Sequence, residues 1–596
     1  MTPTYHIVPA DPHGHRWDVT LDVADVPHEV VLRMPAWIPG SYMIREFARH
    51  LRNLRATRSG EPITVHKRDK DTWALIGGHG PLRVTFQVYA FDRSVRTAFL
   101  DAEQGFFNAS SVFPELVGHA GPYRVTVTRG DHPATASWRV YTALPRETGD
   151  PDGPGTFLAD TYDALVDHPF QLGTPRVWHG VARGIPHTLV LTGPGELDAA
   201  RLMGDLLAIC EVHLDRFAPP APFSSYLFLL TVGPDGYGGL EHRNSTALIA
   251  TSGSLPQPGG GPNSEAYLRL LGLISHEYFH AWNVKQMKPA AFVPYDLTRE
   301  AYTRMLWAYE GITSYYDDLA LLQSGRIDEA TWLVLLGETA TAVERNRGRL
   351  HETLEEASFD AWTKYYRADE DFGNSHVSYY QQGALAALTL DLALLRRSEG
   401  RAGLAALMAA QWAAYGDGRG VPEGALEALA HQVVGAPVGD WFDRVLRSTE
   451  PLPLGDVLRD VGLRTHHRPR QGDEDRGGTP SANAPAAADV GCKVGRAGVV
   501  EAVEEGGPAW SAGLSVGDKV VAVDEREFEG ATSWTKLKAG EPTRVHAFRR
   551  KRLIEVVVVP RPAPSTTVWF EVDADAPEEA HARRAAWLAR PLPLRA

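Results

Sequence analysis

Residues 264–286 read SEAYLRLLGLISHEYFHAWNVKQ, and this stretch decides the fold class. It holds no proline, and Asn263 or Ser264 can cap a helix at its start. Tyr267, Leu270, Leu271, Ile274 and Tyr278 recur at helical spacing as one apolar stripe, and Leu273 joins the other side. A helix apolar nearly all round is a buried helix. His276, Glu277 and His280 fall largely off the stripe, in the order His-Glu-x-x-His. Histidines four apart stand about one turn apart on one face, so both imidazoles can bite one Zn²⁺ while the glutamate reaches the metal-bound water. The rival reading is a solvated face with two spare histidines. The apolar surroundings weigh against it, because buried polar groups must be satisfied and a metal with its water does so.

A catalytic zinc site needs a third protein ligand and an open position. Glu310 is the best candidate. Its neighbours in Leu306-Trp307-Ala308-Tyr309-Glu310-Gly311 are apolar or aromatic, and buried carboxylates are rare unless paired or metal-bound. Asp296, Glu300, Asp317 and Asp318 compete from more polar surroundings. In this reading Glu277 takes the water proton and later gives it to the leaving amine. Tyr380, at the start of a helical stretch, can donate to the developing oxyanion or simply pack. Gly236-Tyr237-Gly238-Gly239-Leu240-Glu241-His242 follows a strand pattern over 226–232. Gly238 and Gly239 leave the backbone open to a close ligand, and Glu241 can pair with a peptide's α-amine. A plain hairpin turn is the alternative.

The chain has 596 residues, enough for about two to four domains. Its net charge of −14 argues against nucleic acid as a partner. Cys210 and Cys492 give no disulfide framework. No basic n-region precedes an apolar run at the N-terminus, and no stretch is apolar enough to span a membrane, so a cytoplasmic enzyme with no membrane partner is expected.

Residues 1–155 alternate in short runs such as 17–23 and 82–89, which predicts an all-β sandwich or saddle. The next domain is read as 156–465, and within it helical patterns dominate from about 195 to 450, over 196–215, 264–286, 299–323, 329–346, 378–397 and 402–415. Residues 466–489 are polar and rich in Gly, Pro and Ala, which predicts a flexible linker or an insertion. A third unit of short strands covers 490–562, and a tail, 563–596, holds a short helix at 577–589.

Taken together, these motifs resemble the M61 glycyl aminopeptidases, zinc peptidases (gluzincins) related to the larger M1, thermolysin-like aminopeptidases. The matching pieces are Met34–Tyr42 (MPAWIPGSY), Val88–Asp92, Gly105–Asn108, His276–Pro289 and Leu306–Tyr316. The resemblance implies a multidomain α+β chain with an all-β N-terminal domain and a mainly helical catalytic domain carrying a small sheet. It implies one Zn²⁺ per chain on His276, His280 and Glu310, with Glu277 as general base. Gly238-Gly239-Leu240-Glu241-His242 is similar to the exopeptidase motif G-x-M-E-N, which implies that Glu241 holds the substrate amine. Tyr380 matches a transition-state tyrosine, although Gln382 stands where the relatives carry lysine. Residues 499–523, with Pro508-Ala509 and Ala512-Gly513-Leu514, resemble a bacterial PDZ domain. Its carboxylate loop falls near Val490–Val494, and it implies a peptide tail as partner or else a structural module. The activity implied is removal of N-terminal residues, Gly and Ala first, from peptide substrates. A PDZ-assisted endopeptidase and a non-catalytic scaffold are the rivals.

Overall fold

The strand patterns at 17–23 and 82–89 pair with each other. Arg16–Val23 lies antiparallel to Leu82–Tyr89, with Val19 opposite Phe86. Their alternate side chains Trp17, Val19, Leu21, Val84, Phe86 and Val88 are buried, which is what a period of two produces when one face meets a core. A computed structural model describes residues 2–591 apart from 25, 262, 473, 474, 481–487, 531 and 590. It divides into two units. The first is built from the chain up to Ala301, from Trp412–Pro422 and from Pro591 onward, the second from Tyr302–Gln411 and Glu423–Arg590.

The first unit begins with an all-β domain. An eight-stranded sheet contains the pair above, and two four-stranded sheets lie within residues 29–173. A fourth sheet follows, of five strands: β1 Arg176–Ala182, β2 Ile185–Thr192, β3 Tyr226–Gly233, β4 Gly238–Glu241 and β5 Ser245–Thr251. Helix α1, Ala199–Arg216, connects β2 to β3. The spatial order is β1-β2-β3-β5-β4, with β2, β3 and β5 parallel and β4 antiparallel at the edge.

Helix α2, Glu265–Phe279, carries the His-Glu-x-x-His pattern. Ser264 caps it, its Oγ accepting from the Tyr267 N–H at 3.1 Å. Tyr267, Leu270, Leu271, Ile274 and Tyr278 are all buried, each contributing about 1.5–3 kcal/mol from the area removed from water. Two buried histidines fix the helix from behind. His213 Nε2 lies 2.8 Å from Ser275 Oγ, and His187 Nε2 lies 2.9 Å from the Tyr278 hydroxyl. Burial lowers the pKa of both imidazoles, so they stay neutral. The helix ends at Phe279 rather than continuing to 286, because the His280 carbonyl is taken by the Lys285 N–H in a turn.

In the second unit, the helix expected over 299–323 begins later. Residues before Met305 are held out of helix by Glu423, whose Oε1 accepts from Thr303 Oγ1 and from the Arg304 N–H. A π-helical turn, Trp307–Gly311, leads into α3, Ile312–Gln323. Helices α4, Glu329–Arg345, and α5, Gln381–Arg397, follow. Gly311 and Gly383 touch backbone to backbone, since a Cβ on Gly311 would lie 2.5 Å from the Gly383 Cα.

The segment read as a linker or insertion opens on strand. Leu463–Arg468 pairs antiparallel with Thr567–Val572. Arg468 holds Asp475 at 2.6 Å, and residues 473, 474 and 481–487 of that segment lie outside the described residues. Between these strands sits a small β module with its own core of Val490, Val500, Ala509, Leu514, Val520, Val545 and Val558. Its strand Cys492–Val494 pairs with Val500–Val503 and with no other described strand. The C-terminal helix, α6, Glu578–Leu588, inserts Trp587 among the helices, its Nε1 donating to the Tyr315 hydroxyl at 3.0 Å and to Asp391 at 3.1 Å.

Candidate active site

In the first unit the structure brings together His276, Glu277, His280, Gly238, Gly239 and Glu241. The His276 and His280 rings stand edge to face with centroids 4.6 Å apart. His280 Nδ1 lies 2.8 Å from the Asn283 carbonyl oxygen, so that nitrogen carries the proton and Nε2 keeps its lone pair for a metal. One ligand atom each from His280, Glu277 and Glu241 lie within 4.8 Å of one another.

Two glycines make room for the carboxylates. A Cβ on Gly239 would fall 2.2 Å from Glu277 Oε1, so the general-base candidate lies flat against the backbone of β4. Ile38-Pro39-Gly40-Ser41 forms a tight turn closed by the Ser41 N–H on the Ile38 carbonyl. Pro39 supplies the fixed φ and Gly40, at φ 94°, the positive one. A Cβ on Gly40 would lie 2.5 Å from both Glu241 oxygens. Glu241 is buried, and its Oε1 meets no donor among the described residues. Such an acceptor suits a cationic ligand.

The hairpin after Glu241 is anchored to the segment after His280. Asp167 Oδ1 pairs with Lys285 Nζ at 2.6 Å, and Asp167 Oδ2 accepts from the Arg243 N–H at 2.9 Å. Burial opposes the charge of Asp167, but the Lys285 and Arg243 cations outweigh it and hold the carboxyl well below the usual carboxylate range. Burial draws His242 down to about 3, so it stays neutral.

In the second unit, Glu310 is buried on the π-helical turn, where Ser358 Oγ accepts the Trp307 N–H at 3.0 Å. The Gly311–Gly383 contact brings this turn against α5, which starts just after Tyr380. The Tyr380 hydroxyl lies 3.2 Å from that of Tyr366. Burial first, and then the Glu310 charge, push the Tyr380 phenol well above its ordinary value, so it is a donor and not a base. Gln382 lines a separate cavity of about 650 Å³ with Leu385 and Pro451. The sequence motifs gave no sign that Gly40, Arg96 and Asp167 come to this site. Only Gly40 lay in a quoted stretch, and its role depends on a contact some two hundred positions away.

The donor set, two imidazoles with carboxylates nearby, fits a zinc site in which a water is activated. This site on an edge-strand-and-helix scaffold defines a zinc metallopeptidase of the aminopeptidase type. Residues 4–174 match the Peptidase M61 N-terminal domain, 269–386 the M61 glycyl aminopeptidase, and 499–538 a PDZ domain. The crystal structure of an aminopeptidase N family protein from Idiomarina loihiensis is 37% identical, covers 99% of this chain and 100% of that one, and superposes with a TM-score of 0.94. The chain therefore belongs to the M61 glycyl aminopeptidase family, with an N-terminal all-β domain, a helical middle region and a C-terminal PDZ domain. An M1 zinc metallopeptidase from Deinococcus radiodurans is 16% identical over 76% of this chain and 95% of that one, with a TM-score of 0.47, a likeness too remote to carry weight. No curated protein matches the chain. Among the described residues no helix is long and apolar enough to cross a membrane.

Proposed function

We propose that the chain removes the N-terminal residue of peptides, Gly and Ala foremost. The buried Glu241 carboxylate carries this reading. It is pressed by the Gly40 turn onto the edge strand, near Glu277, with one oxygen lacking a donor among the described residues. A peptide's α-ammonium supplies that donor, which fixes the first peptide bond beside Glu277. The family likeness supports His276, His280 and Glu310 as the ligands of one zinc ion, which when bound polarises the scissile carbonyl and acidifies a water. Glu277 takes a proton from that water and passes it to the departing amine. Tyr380, kept protonated, donates to the carbonyl oxygen as its charge grows. The preference for Gly and Ala rests on the likeness alone.

The match to a PDZ domain is the observation favouring the endopeptidase reading, since such a domain takes up an extended peptide tail as an added strand. A panel of free and N-acetylated peptides, with metal analysis of the purified chain, separates the readings. Free peptides should be cut and acetylated ones spared. Equal rates on both would overturn the exopeptidase assignment, and a chain without stoichiometric zinc would leave only the scaffold.

A further inference from the structure

The guanidinium of Arg96 sits at the substrate-facing edge of β4. The turn after β4 sets the hydrogen-bond alternation: His242 N–H donates to the Ser245 carbonyl at 2.9 Å across a two-residue loop. In an antiparallel pair the groups then turn inward at every second residue, so His242 and Leu240 face β5 while Glu241 and Gly239 present their N–H and C=O to the open edge. Arg96 Nη2 donates to the Gly239 carbonyl at 3.2 Å, and both terminal nitrogens lie 3.8–3.9 Å from where a Gly238 Cβ would be. The cation therefore straddles residues 238 and 239 on the side where a strand would add. Among the described residues its buried Nε meets no hydrogen-bond acceptor, and no carboxylate forms an ion pair with it. A part-buried arginine without a counter-charge implies that an anion comes from outside the chain.

The length of that ligand follows from strand geometry. Gly239 and Glu241 are two residues apart, about 7 Å along a strand. An extended dipeptide spans a similar distance, about 6–7 Å, from its ammonium to its carboxylate. With the amine on Glu241 and the chain antiparallel to β4, the C-terminal carboxylate of a dipeptide arrives opposite Gly239. We propose that Arg96 binds the free carboxylate of dipeptides and makes them the preferred substrate class. This rests on the aminopeptidase reading above and adds a limit on peptide length to it.

The test compares kcat/KM for Ala-Ala and Ala-Ala-amide in the full chain, in Arg96→Met and in Arg96→Lys. The wild type should prefer the dipeptide about 10–100-fold, the range of one charge-assisted hydrogen-bonded pair. Arg96→Met should bring the ratio to about one, and Arg96→Lys should fall between. Because the ratio is taken within one protein, a general loss of folded enzyme cancels from it. A wild-type ratio near one, or a ratio unchanged in Arg96→Met, overturns the proposal and leaves the aminopeptidase reading intact. Cleavage of acetyl-Ala-Ala as fast as Ala-Ala, or no cleavage of any free-amine substrate, removes the aminopeptidase reading and this proposal with it.

Discussion

Replacing Gly40 by alanine tests the amine pocket without replacing any group that meets substrate. The new Cβ falls 2.5 Å from both Glu241 oxygens, against a contact distance of about 3.5 Å, so the carboxylate must retreat by about 1 Å. A charge-assisted hydrogen bond stretched that far is largely lost, which costs about 1.5–3 kcal/mol. If this loss is felt in binding the amine, kcat/KM falls about 10–150-fold. The backbone at φ 94° adds about 1–2 kcal/mol of strain, which lowers stability and not affinity. Gly184→Ala supplies the control, since Gly184 has φ 80° with open space around it and therefore carries the strain without the collision. Both variants should lose a few degrees of Tm, and only Gly40→Ala should lose the kcat/KM for alanine p-nitroanilide, mostly through KM. If Gly40→Ala keeps wild-type kinetics, or loses no more than Gly184→Ala, the Gly40 turn does not set the position of Glu241 and the pocket argument is wrong.

Glu277→Gln should retain zinc by elemental analysis while turnover falls by several orders of magnitude; near-normal turnover would remove it from the role of base. Glu310→Ala should lose the metal itself, and stoichiometric zinc in that variant would return the third-ligand position to one of the other acids. Tyr380→Phe should lower kcat about 10²-fold or more with little change in KM, whereas an unchanged kcat would make the ring a packing group. Lys288 gives a pH test. Burial, ahead of repulsion from Arg243 and Lys285, draws its ammonium down to about 8, while an unfolded lysine titrates at about 10.4. Between those values the unfolded chain binds more protons, so stability rises with pH across that window and is level below it. Relative to Lys288→Met, the wild type should gain up to about 3 kcal/mol between pH 8 and about 10.4 in urea denaturation; parallel curves would refute the burial argument.

Local chemistry was legible in the sequence wherever neighbours along the chain decide the structure. The Ser264 cap, the apolar stripe of α2, and the strands around Trp17 and Phe86 each follow from residues within one element. The reading was less accurate where distant residues intervene. Residues 299–304 carry a helical pattern, yet Glu423 captures Thr303 and the Arg304 N–H and holds the backbone out of helix. Likewise α2 stops at Phe279 because a turn closes on the His280 carbonyl, which periodicity does not register. The surroundings of the site were least legible. Gly40 on Glu241, Arg96 on Gly239 and Asp167 on Lys285 are meetings of segments far apart in the chain, and none has a local pattern that announces it.

The pairing of Leu463–Arg468 with Thr567–Val572 also bears on the PDZ domain's place in the chain. Arg468 stands opposite Thr567, so the chain leaves for the module and returns from it at neighbouring points of one ribbon. Beyond the ribbon, Trp587 still has a seat against Tyr315 and Asp391. By its chain connections the module is thus a cassette inserted at two adjacent points and not a trailing appendage, and Asn374 docks it further, donating to the Val503 carbonyl at 3.0 Å and accepting from the Glu505 N–H at 3.0 Å. Such a mounting lets it be exchanged for another sequence whose ends can meet there, with loss of the Asn374 and Arg347 contacts, while the helices on either side keep their own closure.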